Sequence, residues 1–256
     1  MTPDVTLVVT VHDETAVCGP TMDAADLAVA AARARGRRVQ TIIALAAATE
    51  AATRYVEQPF FDHWERRVLE RGDVGAVRNA LATQSEGRHL CFVAAGDLVS
   101  ENWLAESLAV LDAAAGRGDR VVAHPELDVV FDGRTEVRVN IGQDSGLFTP
   151  HHLYVGEHHP SSSLAPREAL LEIPHATAGL TGREPCGDLQ WTIETMAAGW
   201  RHVVVPDTIH FRRERDLPAT PTPPGHPCLT DALPAMAIDR VRRLGRANGE
   251  TPPPGA

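Results

Sequence analysis

Lysine is absent from this chain, and all 24 of its basic residues are arginine. That absence excludes Schiff-base chemistry and a Walker-type phosphate loop, each of which needs a lysine amine. Positive charge is also in deficit, because 34 acidic residues leave a formal net charge of −10. A protein that works by neutralising a nucleic-acid backbone needs the opposite balance, so nucleic acid is not expected as a partner. Any bound diphosphate must instead find positive charge locally. The four cysteines, Cys18, Cys91, Cys186 and Cys228, form no C-x-x-C pair, which argues against zinc ribbons and thioredoxin-like motifs. No apolar run approaches the ~18 residues of a membrane-spanning helix. The N-terminus enters a strand without a basic leader. A cytoplasmic protein with no membrane span is therefore expected.

What the chain does have is a core-forming composition, 43% hydrophobic over 256 residues, enough for one large domain or two small ones. Val5 to Val11 is a β-branched run and reads as a first strand. An alanine-rich helix follows from Asp23 to Arg35 and ends at Gly36, a natural C′ residue. Val39 to Leu45 reads as a strand, Ala46 to Tyr55 as helical, Arg67 to Leu69 as a short strand and Gly75 to Ser85 as a helix. This alternation implies a parallel sheet wound in the Rossmann manner.

Beyond Ala115 the pattern changes. Arg120 to Ala123, Leu127 to Phe131 and Val137 to Ile141 are short strand candidates, and Asp132-Gly133 is a hairpin signal. Ser161 to Ala165 reads as a strand, Pro166 to Leu171 as a short helix, Asp188 to Ala198 as a helix ending at Gly199, and His202 to Val205 as a strand. After Asp216 the chain is proline-rich, with only Leu233 to Leu244 able to form a helix. Residues 217–256 are expected to be a peripheral or partly disordered tail.

The stretch from His89 to Trp103 is the most informative. Leu90 to Ala95 reads as a buried strand that ends in small residues and one acid, Asp97. Ser100 follows as a candidate N-cap of the next helix, running to Ala114. In an open α/β sheet the carboxyl end of a strand is where ligands bind, and a carboxylate there can hold a divalent cation and, through it, a diphosphate. An acid in a strand-to-helix turn is also common, so this segment alone leaves both readings open. Cys91, inside the same strand, is expected to pack as a small hydrophobe.

Three groups of residues stand in a recognisable order. The first is Val5-Thr-Leu-Val-Val-Thr-Val-His-Asp-Glu14. The second is Gly75-Ala-Val-Arg-Asn-Ala80, then Phe92-Val-Ala-Ala-Gly-Asp97 and Asn102-Trp-Leu104. The third is Ser161-Ser-Ser-Leu-Ala-Pro-Arg167, Cys186-Gly-Asp-Leu-Gln-Trp191, Ala198-Gly-Trp200 and Val203-Val-Val-Pro206. Over roughly residues 4–215 this resembles the family 2 glycosyltransferases, whose fold is GT-A. The resemblance implies an α/β GT-A domain over 1–216. In it, a Rossmann-like nucleotide-sugar-binding half (1–115, mostly parallel sheet) is fused to a mixed α+β acceptor half (116–216).

By that resemblance, Thr10, His12 and Glu14 border the nucleotide base, and the planar imidazole of His12 is able to stack on it. Arg78, in the family's A-R-N segment, lies near base and phosphates. Asp97 is the surviving acid of a D-x-D-D metal motif that here reads Ala94-Ala95-Gly96-Asp97, and with His210 it would hold a divalent cation, Mn or Mg. Arg212 and its neighbour Arg213 would cover the leaving diphosphate. Asp188 falls on the family's catalytic base. An ionised Asp at a helix start is favoured by the macrodipole and can take a proton from an acceptor hydroxyl.

The sequence departs from the pattern in three places. The strand-two acid is replaced within Ala44-Leu-Ala-Ala-Ala48, the earlier metal-motif acids are alanines, and Gly187 stands where the family has Glu. The expected activity is inverting transfer from a nucleotide-diphosphate sugar to a hydroxyl-bearing acceptor. The departures leave a second expectation, a degenerate member that binds a nucleotide or a partner enzyme without turnover. A third, a nucleotidyltransferase, is disfavoured by the missing lysine and glycine-rich loop. His151-His152 and His158-His159 are adjacent pairs, poor as ligand pairs on a strand, and read as acceptor-loop residues.

Overall fold

In the computed structural model, residues 2–70, 73–159, 162–177, 187–214 and 233–245 are described. Nine strands among them, numbered in chain order, form one sheet in the order β3-β2-β1-β4-β8-β6-β9-β5, with β7 paired to β6 off that path. The first half winds as the alternation predicts. β1 (Val5–Val11) lies between β2 (Val39–Ala46) and β4 (His89–Ala94), parallel to both, and β3 (Glu65–Leu69) continues the parallel order outside β2. β1 is buried on both faces apart from the half-buried Thr10, as a central parallel strand covered by helices on each side should be.

Helix α1 (Cys18–Ala34) starts earlier than the expected Asp23 and buries Cys18, Met22, Ala25, Val29 and Ala32 along one stripe. Gly36, at φ 77°, lies just beyond it. α2 (Glu50–Val56) is shorter than expected because β2 runs on to Ala46 and Ala47 then turns at φ 47°. Thr49 caps it, its hydroxyl accepting from Ala52 N at 3.3 Å. α3 (Val74–Gln84) is capped by the Asp73 carboxylate on Ala76 N at 2.7 Å.

The expected N-cap role of Ser100 is not what forms. α4 (Trp103–Ala115) begins after Asn102, without a side-chain cap. The preceding residues Leu98–Val99 make a two-residue strand, β5, antiparallel to β9. Ser100 Oγ accepts from Ile209 N at 3.0 Å, so its hydroxyl serves the neighbouring strand instead. Cys91 is fully buried, as expected, and its sulfur accepts from Trp103 Nε1 at 3.3 Å. Burial pushes that thiol up to about 12.

In the second half, segments expected as separate strands merge. Arg120 to Ala123 and Leu127 to Phe131 become one strand, β6 (Val121–Phe131). His202 to Val205 becomes part of the thirteen-residue β9 (Arg201–Arg213). The two pair in parallel, with a register shift between Pro125 and Leu127 that leaves Pro206 and Asp207 as a bulge, Asp207 at φ 59°. A proline lacks the donor a ladder needs, and a bulge lets pairing resume beyond it. Asp132, at φ 64°, turns β6 into β7 (Glu136–Val139), as Asp132-Gly133 predicted.

β8 (Leu164–Pro166) is antiparallel to both β4 and β6 and joins the two halves of the sheet. α5 (Arg167–Glu172) and α6 (Gly187–Ala197) follow, with Gly199 at φ 89° after α6. The long ladders are thus parallel and the antiparallel ones short, a mixed α/β architecture with the GT-A arrangement. The helix expected over 233–244 is instead two 3₁₀ turns, Pro234–Met236 and Val241–Gly245. Their Met236, Val241 and Leu244 bury against Leu189, Ile193 and Met196 of α6. Apolar anchors, more than helix propensity, hold this piece of chain.

Candidate functional site

The strand order 3-2-1-4 reverses direction between β1 and β4, and the crevice beyond their carboxyl ends is where an open α/β sheet takes ligands. A cavity of about 830 Å³ opens there. Eight of the nine residues singled out in the sequence line it: Thr10, His12, Arg78, Asp97, Asp188, His210, Arg212 and Arg213. Glu14 does not. It is buried beneath the turn after β1, where its Oε2 accepts from His12 N at 2.7 Å. His12 in turn has Nδ1 2.6 Å from the Ala46 carbonyl, a bond only an N–H can make, so Nε2 is its free nitrogen.

Asp97 and His210 meet because the sheet register brings them together. His210 pairs in register with Asp128 of β6 on one side and Val99 of β5 on the other, and Asp97 immediately precedes β5. The His210 imidazole, 2% exposed, lies between two carboxylates, with Nδ1 2.7 Å from Asp128 and Nε2 3.5 Å from Asp97. Burial alone would lower its pKa, but the bonds and charges of Asp128 and Asp97 outweigh that and raise it to about 9. Asp97 is held from its other side by Arg213 N, which donates to Oδ1 at 2.9 Å. Gly96, at φ 102°, gives the turn a conformation other residues resist and lets Arg213 pass at 3.4 Å from the place a Cβ would occupy.

Asp128 was missed by sequence reasoning. The available signal was an acid inside the apolar strand pattern Leu127-Asp-Val-Val-Phe131, a position that demands a buried partner. The partner sits 82 residues away. Arg134 also lines the cavity without having been singled out.

Across the cavity, Arg78 and Asp188 form an ion pair: Nη1 bonds Oδ1, and Nη2 lies 3.4 Å from Oδ2. Burial lowers the Arg78 pKa to about 10, still charged at neutrality, and its guanidinium lies 5.7 Å from the Phe92 ring centroid. The neighbouring Asn79 explains its place in the motif. Its amide clamps the backbone of His175, donating to O at 2.9 Å and accepting from N at 2.8 Å. Four arginines (Arg78, Arg134, Arg212 and Arg213) thus converge on one cavity in an acidic protein. Asp97, Asp188 and Glu214 line the same cavity, so arginines outnumber acids by four to three, and guanidinium groups suit an anionic ligand.

The fold defined by this sheet and its crevice is GT-A, the fold of a large class of glycosyltransferases. Three solved structures of that class show the likeness. TarS of S. aureus (residues 1–349, with UDP-GlcNAc) aligns with TM-score 0.62 at 15% identity, over 83% of this chain and 59% of that one. GalNAc-T7 with UDP, GalNAc and Mn2+ aligns with TM-score 0.57 at 15% identity, over 84% and 44%. The mannosyltransferase PcManGT of Pyrobaculum calidifontis, with GDP-Man and Mn2+, gives 0.55 at 14% identity, over 85% and 59%. The chain therefore spans less than two thirds of each of these proteins. Comparison with protein-family models gives no match, and comparison with curated proteins gives none either. No helix among the described residues is long and apolar enough to cross a membrane.

Proposed function

We propose that the protein is a glycosyltransferase that moves a sugar from a nucleotide-diphosphate sugar to an acceptor hydroxyl with inversion. The observation that carries this reading is a convergence in one cavity. Four arginines and the Asp97–His210 pair lie at the carboxyl ends of the sheet, and Asp188 stands opposite them. Neighbours of the same fold were solved in complex with UDP-GlcNAc, UDP and GDP-Man, which favours a donor of that kind.

The pair also fits a divalent cation. Asp97 offers a hard oxygen. His210 has Nδ1 engaged by Asp128 and Nε2 turned toward Asp97, and a cation that displaced the Nε2 proton would meet an imidazole oriented by a second carboxylate. A Mn or Mg ion bound there would neutralise the diphosphate and polarise its bridging oxygen.

In the proposed displacement the acceptor oxygen attacks the anomeric carbon as the bond to the diphosphate breaks. Asp188 takes the hydroxyl proton, and Arg212 and Arg213 stabilise the charge collecting on the departing oxygens. His12 borders the base through its free Nε2 edge, and Thr10 lines the floor between base and phosphates. The missing acid at the end of β2 leaves base recognition to these groups.

The test is a thermal-shift panel of nucleoside diphosphates and their sugars with and without manganese, followed by an assay for donor hydrolysis. Ligand at about 100 times its dissociation constant adds roughly 2.7 kcal/mol, readily seen as a shift. Manganese-dependent stabilisation by one nucleotide, with release of its sugar, is the expected result. Binding without any turnover would overturn the enzymatic reading, and a flat panel would overturn the donor site itself.

A further inference from the structure

Behind the Arg78–Asp188 pair lies a second cavity of about 20 Å³ whose wall includes His124, His159, His175 and Thr192. It is large enough for one water. His124 of β6, His159 and His202 of β9 cluster here, all buried, with candidate nitrogens within 4.8 Å of one another. None of the three lies among the donor-site residues.

Hydrogen-bond accounting shows what the cluster lacks. A neutral imidazole has one N–H and one lone pair. His124 Nδ1 lies 3.2 Å from the Ser162 carbonyl, which can only accept, so Nε2 carries the lone pair. His202 Nε2 lies 2.9 Å from Thr195 Oγ1, and that hydroxyl is placed to donate to the Trp191 carbonyl at 2.7 Å. With that bond made, His202 Nε2 must be the N–H and Nδ1 the lone pair. Yet His124 Nε2 and His202 Nδ1 are 2.8 Å apart, so two lone pairs face each other. With the Thr195 proton held on the Trp191 carbonyl, a cation between the two nitrogens resolves this.

Turning the Thr195 proton toward His202 would give a neutral relay instead, but it would do nothing for His159. That ring is 2% exposed and lies over His124 with centroids 4.2 Å apart. Neither of its nitrogens has a hydrogen bond of good geometry, the Ile141 backbone being at most a weak partner. A buried imidazole without partners is costly.

We propose that His124, His159 and His202 bind a transition-metal ion of the zinc class, with a water in the adjoining cavity as fourth ligand. Three protein nitrogens and one open position is an established zinc geometry. The outer partners also match, since ligating histidines donate their second N–H to a carbonyl or another acceptor, here Ser162 and Thr195. Burial keeps all three imidazoles in the neutral form that ligates. A tetrahedral site wants about 3.3 Å between nitrogens. The His124 and His202 nitrogens, 2.8 Å apart, therefore open by roughly 0.5 Å, while the longer separations close by up to roughly 1.5 Å and His159 swings off the face of His124. The ion would tie β6 and β9 to the segment that carries His159, with α6 joined through the Thr195–His202 hydrogen bond. The all-nitrogen set prefers zinc, whereas the Asp97–His210 pair, with its oxygen donor, suits manganese or magnesium.

The experiment treats the full chain with chelator, adds back substoichiometric zinc, and counts ligands by X-ray absorption. Two or three imidazoles per zinc would support the site. One or none, the signature of the Asp97–His210 pocket or of adventitious surface binding, would overturn it. His159→Phe keeps the stacked ring and removes the ligand nitrogens. It should weaken zinc binding at least tenfold and abolish the zinc-induced rise in Tm, while His210→Gln should leave both intact. Equal zinc affinity in His159→Phe and the unaltered protein would refute the assignment, and the absorption measurement decides the matter even if the variant does not fold.

Discussion

Replacing Asp128 by Asn tests the buried core of the donor site quantitatively. In the folded protein the His210 pKa is about 9 against an ordinary value of 6.5, because Asp128 at 2.7 Å and Asp97 at 3.5 Å outweigh the cost of burial. A group whose pKa rises on folding contributes stability that is complete below its unfolded pKa. That contribution is lost as pH climbs through the folded value. Two to three pKa units at about 1.4 kcal/mol each give roughly 3 kcal/mol, present below pH 6.5 and gone above about pH 9. His210 is 2% exposed, so solvent screening takes little from that figure. Urea unfolding of chelator-treated protein, repeated from pH 6 to 9.5, should show stability falling across that window. Asp128→Asn should be destabilised by roughly 2–4 kcal/mol at pH 6.5, with the difference closing toward pH 9. A flat profile for the unaltered protein, or a variant that keeps the full slope, would refute the reasoning.

Other expectations follow from the same geometry. Asp188→Asn should fold and still bind donor, while transfer falls by about 10²–10⁴ as the proposed base is lost; unchanged turnover would exclude that role. Ala47→Gly should stabilise the chain by about 1 kcal/mol in thermal unfolding, because Ala47 holds φ 47°, where a Cβ is strained. Metal-free protein should lose stability as pH falls below about 6.5, since burial depresses the pKa of His124, His159 and His202 and only the unfolded chain gains their protons. Cys91 should resist thiol reagents at pH 8 until the protein unfolds, its thiol being pushed up to about 12; labelling in native buffer would contradict its burial.

The parallel half of the fold was legible because its signals are local. The β-branched run of β1, the apolar stripe of α1 and the glycine that follows it can be read within a dozen residues. What escaped was set by pairing over long distances. Ser100 looks like a helix cap until Ile209 arrives to claim its hydroxyl. Asp128 reads as an odd acid in a strand until β9 brings His210 into register with it. The residues singled out by resemblance came together in one cavity, Glu14 excepted, because the motifs mark strand and helix ends that the sheet aligns. His159 was set aside because its sequence neighbour is a poor co-ligand. Its companions in space lie 35 and 43 residues away, at His124 and His202, beyond the reach of any spacing rule.

The ion pair between Arg78 and Asp188 bears on the order in which substrates arrive. In the resting site both carboxylate oxygens face the guanidinium, so an acceptor that came first would find the proposed base already engaged. A diphosphate competes strongly for the same fork of N–H groups, and its arrival would loosen the carboxylate. Donor would then precede acceptor as a kinetic sequence, with the salt bridge acting as the interlock.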